Sequence, residues 1–139
     1  MKKRFGLALA FALVIISLRS QTITYSADSL KKILCKTWEM EYAEMGSFRI
    51  DPKPGVNMLV LEFRSNNKVK VTGTQTDDKP EDWDWTFNVK EKYVSIIKDK
   101  KEKMRITNLE INKMIAKITA TQNAPADLGD TKFILKPKE

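Results

Sequence analysis

Apolar and polar residues alternate along much of the chain. The alternation is most regular in 82–89, where the apolar positions are Trp83, Trp85, Phe87 and Val89. A period of two places such residues on one face of a β-strand and the intervening polar residues on the other. Eight segments with this pattern predict eight strands, lettered A to H: 37–42, 57–63, 68–73, 82–89, 93–97, 103–109, 114–121 and 131–136.

A different period precedes strand A. Leu30, Ile33 and Leu34 recur at helical spacing. They follow Ser26-Ala27-Asp28-Ser29, a sequence typical of a helix N-terminus. We therefore predict a short capped helix before the first strand.

The connections between the predicted strands constrain the topology. Parallel strands need long crossover connections, and nearly all connections here are too short for a crossover helix, so the strands should form an antiparallel meander. Closure into a barrel would remove the exposed edges of the sheet. The predicted fold is all-β, an eight-stranded antiparallel up-and-down barrel with a short N-terminal helix. A two-sheet sandwich is the alternative, and pairing of strand H with strand A would favour the barrel.

Connection lengths predict a cup. Alternate connections of a meander lie at the same end, and the longer ones are A–B, C–D, E–F and G–H: 43–56, 74–81, 98–102 and 122–130. These four should surround the mouth of the barrel. Trp38 is expected near the closed end, and Trp83 and Trp85 are expected near the mouth.

The N-terminus is typical of a secretory signal peptide. Three basic residues, Lys2, Lys3 and Arg4, precede an apolar run in 5–18. That run of about fourteen residues is too short for a bilayer, which needs about twenty. We expect a signal peptide in 1–20, cleavage between 20 and 28, and a single domain in 28–139. The mature protein is then periplasmic or extracellular, without stable membrane insertion.

Export changes the interpretation of charge. The full chain has a formal charge of +7, and removal of Lys2, Lys3, Arg4 and Arg19 leaves +3. This small excess does not predict nucleic-acid binding. The only cysteine, Cys35, excludes an intramolecular disulfide and is expected to be a half-buried thiol.

No catalytic constellation is present in the sequence. The chain has no histidine, which removes Ser-His-Asp and Cys-His arrangements. It also lacks a glycine-rich phosphate loop and zinc-ligand spacing. The acidic stretch 77–84 is interpreted as a solvated loop, and the basic stretch 98–105 as a hairpin loop or a contact for an anionic headgroup. We predict a protein that is not an enzyme and uses no metal or cofactor.

The arrangement resembles a lipocalin. A short helix, a first strand bearing Trp38, a long first loop and eight meandering strands are the features that carry the resemblance. Lipocalins have Gly-x-Trp at this strand, whereas here the triplet is Lys36-Thr37-Trp38. The chain is most similar to short, secreted lipocalin-like domains of the Bacteroides type. The resemblance implies a ligand cup, and a late basic residue, Lys132 or Lys136, packed over Trp38.

Apolar side chains expected inside the barrel are the candidate ligand-binding residues: Tyr42, Phe63, Trp83, Trp85, Phe87 and Met104. Trp38 is expected to be structural. The predicted function is an exported, non-catalytic module that binds a small hydrophobic or amphipathic ligand. The alternative is a protein-interaction module with a filled interior, because an eight-stranded barrel is barely wide enough for its own side chains.

Overall fold

The structure, a computed structural model, describes residues 23–53, 58–73, 79–119 and 131–139. Within these ranges the chain forms one helix, α1 (Ala27–Leu34), and nine strands. The strands, β1 to β9 in chain order, are Thr37–Met45, Phe48–Ile50, Val60–Phe63, Lys68–Thr72, Glu81–Asn88, Tyr93–Lys98, Lys101–Leu109, Met114–Ile118 and Thr131–Pro137.

Eight of these strands close into an antiparallel barrel. From β3 to β9 each strand pairs with the next in sequence, and β1 pairs with both β3 and β9. The β1–β9 ladder runs from Trp38 opposite Pro137 to Met45 opposite Thr131. This pairing of the first and last barrel strands confirms the predicted barrel and excludes the sandwich.

The ninth strand, β2, lies outside the closed ring. A turn through Gly46, which has a φ of +59°, reverses the chain, so that Phe48 pairs with Met45 and Ile50 with Ala43. The prediction that 43–56 is one long loop is therefore wrong in its first part. β2 pairs only with β1, and its side chains are exposed, Phe48 at 74% and Ile50 at 45%.

The two ends of the barrel differ. At one end, which we call the helix-capped end, α1 packs Leu30 and Leu34 into the barrel core with no exposed surface. The Trp38 indole donates a hydrogen bond to the Leu34 carbonyl at 3.0 Å. The connections after β3, β5 and β7 also lie here, since the strands run alternately up and down.

At the opposite end, called the loop end, β4, β6 and β8 end and β5, β7 and β9 begin. Most of the C–D and G–H connections predicted at this end, 74–78 and 120–130, lies outside the described residues. The E–F connection, at the same end, is shorter than expected. β6 and β7 are joined by a two-residue turn, Asp99 and Lys100, whose φ angles are 51° and 64°. Two consecutive residues in the left-handed region produce a turn whose twist matches that of the flanking strands.

A β-bulge in β1 reverses the direction of one predicted site residue. Met40 pairs with Leu135 but Tyr42 pairs with Ile134, so Glu41 is an extra residue in β1. The extra residue shifts the alternation by one position. Ala43 is consequently buried, and Tyr42 faces outward with the Arg49 guanidinium 3.9 Å from its ring centroid. The prediction that Tyr42 points into the barrel is wrong.

The hydrophobic core includes residues that precede α1 in the chain. Ile23 is 2% exposed and belongs to the hydrophobic core, and Tyr25 packs against it. The Ser26 hydroxyl accepts a hydrogen bond from the Ser29 backbone N–H and caps α1. The folded unit therefore begins before the Asp28 boundary drawn from the sequence. The predicted signal peptide, 1–20, lies outside the described residues.

Candidate functional site

A cavity of about 320 Å³ occupies the part of the barrel interior nearest the loop end. Its wall is built from inward positions of the strands β1, β5, β7, β8 and β9 and from the ends of two connections. The lining residues are Met40, Leu59, Gly73, Trp83, Lys103, Met104, Ile118 and Phe133. Six of these are apolar side chains, so the cavity favours an apolar occupant.

Trp83 is the largest side chain of the wall, and polar contacts at the rim fix its ring. Its indole Nε1 donates to Glu81 Oε2 at 2.8 Å, and the Lys98 ammonium donates to the same oxygen at 2.7 Å. The Lys98 ammonium also lies 5.5 Å from the ring centroid of Trp83. The hydrogen bond from Lys98, followed by that from Trp83, lowers the pKa of the Glu81 carboxyl.

Gly73 forms the wall where β4 ends. Its φ is +88°, a conformation that favours glycine. A Cβ atom at this position would lie 2.1 Å from the Met58 carbonyl oxygen, so no larger residue fits without moving the backbone. The absence of a side chain lets the β4 end approach the segment that enters β3.

Only one lining residue carries a charge. Lys103 lies in β7 beside Met104, and the pairing of β6 with β7 shifts register at this point. Ile96 pairs with Met104 and Ile97 with Glu102, which leaves Lys103 as the extra residue of a bulge.

Two of the predicted ligand-binding residues, Trp83 and Met104, line the cavity. Trp85 and Phe63 instead belong to the filled half of the barrel. Their rings meet edge to face with centroids 6.3 Å apart, and the Trp85 indole donates to the Arg64 carbonyl at 2.9 Å. Trp85 is 1% exposed. The expectation that it lies near the mouth is wrong.

The remaining predicted residues also lie away from the cavity. Phe87 is half-buried and packs against the core near the helix-capped end of β5, opposite Val94. Tyr42 faces outward, as described above. Val89, predicted on the apolar face of strand D, follows the end of β5 and is 60% exposed.

Several residues that line the cavity were not predicted as ligand-binding residues. Met40, Ile118 and Phe133 carry the alternation signal of inward positions, but it does not distinguish the two ends of the barrel. Leu59 alternates with Leu61 and Phe63 in predicted strand B and carries the same signal. Gly73 ends predicted strand C and has no side chain that a period of two could mark. Lys103 is polar, and nothing in the sequence marks the bulge.

Trp38 lies at the helix-capped end, as predicted. The basic group over its ring is Lys36, whose ammonium is 4.8 Å from the ring centroid and donates to the Ile111 carbonyl at 2.7 Å. The resemblance implied Lys132 or Lys136 in this role, and that expectation is wrong. Lys132 and Lys136 pair with Glu44 and Glu39. These positions are on the outer face of the barrel, whereas Trp38 points inward.

A cluster of polar side chains lies on the outer face of the barrel, on the part of β7 that contains the Lys103 bulge and on its neighbouring strands. Glu102 accepts hydrogen bonds from the hydroxyls of Ser95 and Thr119 and from Arg105. Arg105 also lies 3.9 Å from the ring centroid of Tyr93. Burial alone would raise the pKa of the Glu102 carboxyl, but the hydrogen bonds outweigh it and the net pKa is lowered.

The described residues contain no cluster of acids and cysteine that would hold a metal ion. Burial raises the pKa of the Cys35 thiol, with Lys31 opposing, which disfavours a nucleophilic thiolate. In the acidic stretch Asp84 forms an ion pair with Lys68 on the surface, and Asp77 and Asp78 lie outside the described residues. No helix among the described residues is both long and apolar enough to span a bilayer.

Comparisons with family models, with curated proteins and with solved structures gave no match. Any function assigned to the cavity therefore rests on its geometry and chemistry.

Proposed function

We propose that this protein is a non-catalytic binding module that holds a small apolar or amphipathic molecule in the cavity at the loop end. The observation that carries the proposal is the cavity itself. Its volume of about 320 Å³ lies within the range of ligand sites, roughly 300–1,000 Å³. Its walls are mostly apolar, and a few polar groups at the rim can orient a guest.

The distribution of packing supports the same function. Trp38, Leu61, Trp85 and Leu135 are almost completely buried and fill the interior toward the helix-capped end. The empty volume lies at the loop end. In a small barrel that binds no ligand, close packing would be expected to fill both ends of the interior.

The site of action that we propose is outside the cytoplasm, either the periplasm or the extracellular space. The basic and apolar segment in 1–20 supports export. The resemblance to secreted lipocalin-like domains agrees with this location and with a cup that binds ligands.

A fluorescence titration with decanol, a neutral amphiphile, tests the function. Trp83 lines the cavity and Trp85 does not, so bound decanol should change the emission of the parent protein and of Trp85→Phe. The response should be much smaller in Trp83→Phe. Native mass spectrometry should detect a small molecule retained by the purified protein. Absence of any bound molecule, together with no response to decanol, would contradict the proposal.

A second function, protein interaction through the outer surface, is favoured by the exposed β2 residues. Phe48 is 74% exposed and Ile50 45% exposed on a strand that projects from the ring. A photoreactive residue at position 48 should then crosslink a partner in the producing cells. The matched control is position 111, an isoleucine 69% exposed beyond the end of β7. Equal crosslinking at both positions would count against a specific interaction surface.

A further inference from the structure

The bulge in β7 determines what Lys103 contributes to the site. Glu102 faces outward into the polar cluster, and Met104 is buried on the inward face. In a strand without a bulge, Lys103 would point outward, because it is next to the inward-facing Met104. The extra residue of a bulge escapes this rule, and bulges commonly re-aim a side chain near functional sites. Lys103 accordingly lines the cavity.

Glu102, the neighbour of Lys103 in β7, and Glu81, which holds Trp83 in the cavity wall, are already engaged. Glu102 binds Ser95, Thr119 and Arg105, and Glu81 binds Lys98 and Trp83. None of the ion pairs among the described residues includes Lys103. A cation in an apolar wall is costly unless it gains a counter-ion, so a guest with a negative charge is bound more favourably than a neutral one.

A second polar group near the loop end lacks a partner. Thr131 is 3% exposed, and its hydroxyl is the only buried side-chain N or O atom in the described part of the chain without a hydrogen bond. Thr131 begins β9 opposite Met45 and lies two residues before Phe133, on the same inward face. A buried hydroxyl without a partner costs stability. Thr131 lies just behind the cavity wall and does not line it, so a ligand oxygen would satisfy this hydroxyl after a local rearrangement of the wall.

The sheet register brings these two groups to the same level of the barrel. Ile118 pairs with Met104 on one side of β8, and the β8–β9 ladder, ending at Lys117 opposite Lys132, places Ile118 next to Thr131. Lys103 and Thr131 therefore flank Ile118 on neighbouring strands, roughly 10 Å apart across two strand spacings. A lysine side chain is long enough to cover much of that separation.

We infer that the ligand is a single-chain amphiphile with one carboxylate, whose apolar chain fills the cavity while Lys103 and Thr131 bind the headgroup. The inference rests on the proposed function and names the ligand class for the same cavity. The small volume fits one alkyl chain of medium length. The ammonium neutralises the carboxylate, and the Thr131 hydroxyl donates to one of its oxygens.

The test compares decanoate with decanol by isothermal titration calorimetry, because the two share a chain and differ in the headgroup. The parent protein should bind decanoate more tightly. Lys103→Met, which keeps the length of the side chain, should weaken decanoate binding by about 10- to 100-fold and leave decanol binding nearly unchanged. Thr131→Val should weaken decanoate binding by a smaller factor.

Lys101→Met is the matched control, since Lys101 is exposed on the same strand and belongs to no part of the cavity wall. It should bind both probes as the parent protein does. Lys103→Arg keeps the charge and should retain the preference for decanoate. It also provides the comparison if Lys103→Met is unstable.

The outcomes separate the inference from the proposed function. Equal affinity for decanoate and decanol in the parent protein would overturn the inference and leave a neutral ligand site. Loss of both probes in Lys103→Met, with Lys103→Arg showing no preference, would also overturn it. Failure of both probes to bind the parent protein would reject the proposed function as well.

Discussion

The two ends of the barrel are built from the same strands, yet the described side chains fill one end and line a cavity at the other. At the helix-capped end, Trp38 and Trp85 are each held by an indole hydrogen bond to a backbone carbonyl and have almost no exposed surface. At the loop end, Trp83 is held by a surface carboxylate and one side of its ring borders the cavity. Burial is therefore set by position along a strand as well as by the face of the sheet.

The difference has a simple cause. α1 supplies Leu30 and Leu34, which fill the helix-capped end from outside the sheet. Among the described residues no element does the same at the loop end, where a glycine and a bulged lysine replace two possible core side chains. One element outside the barrel thus distinguishes a filled half from a half that contains the cavity.

Truncation of a tryptophan at each end should give the largest contrast. Trp38→Ala should lower the free energy of unfolding by about 3–5 kcal/mol, because it removes a fully buried ring and leaves a cavity. Trp83→Ala should cost less, about 1–2 kcal/mol, because its ring already borders empty space. Urea denaturation measures both. Equal losses would show that the two halves are packed alike.

Removal of Ile23 tests how much the segment before α1 contributes to the helix-capped end. Ile23→Ala should cost about 2–3 kcal/mol, as for a buried isoleucine near a chain terminus. A chain that starts at Asp28 should lose at least as much, since it also lacks Tyr25 and the Ser26 cap. If the signal peptide that we propose in 1–20 is removed in the producing cells, mass spectrometry of the mature chain should find that Ile23 is retained. A mature chain starting at Asp28 with full stability would contradict this.

The polar cluster on the outer face should make the stability of the fold depend on pH. The pKa of Glu102 is lowered in the folded state, so its contribution is present above the ordinary glutamate pKa of about 4.3 and is lost as the pH falls through the lowered value. Glu102→Gln should cost about 1–2 kcal/mol at neutral pH. Urea denaturation across the acidic range should show a smaller difference at low pH.

The smallest effect is expected on β2. Phe48→Ser should change stability by less than about 0.5 kcal/mol, because the side chain is 74% exposed. It should also leave the binding of decanol unchanged. A large loss of stability would mean that β2 contributes to the loop end in a way that its exposure does not reveal.

The alternation of apolar residues was sufficient to predict the fold. Short connections excluded parallel pairing, and the capping sequence before Leu30 predicted α1. The three-residue strand β2 was missed because so short a segment has no measurable period. The length of the E–F connection was overestimated because a two-residue turn of this kind needs a positive φ at both positions, and lysine, here Lys100, rarely adopts one.

The candidate site was predicted less well, for two physical reasons. Bulges at Glu41 and Lys103 change which face a residue occupies without changing composition, so Tyr42 is wrongly predicted inside and Lys103 is not predicted to line the interior. A period of two also predicts only the face on which a residue lies. It does not predict how close the residue is to either end of the barrel. Trp83 and Trp85 have the same pattern, but only the packing at each end shows which of them meets the cavity.

The pairing of β1 with β9 has a consequence for biosynthesis. Every other ladder of the ring joins strands that are close in sequence, whereas this one joins the first and last barrel strands. Until Thr131–Pro137 has paired with β1, the partly folded sheet has two free edges, at which it can pair with other chains. Contacts between strands this distant in sequence form slowly. We therefore expect the pairing of β1 with β9 to be the folding step at which chaperones matter most for this chain.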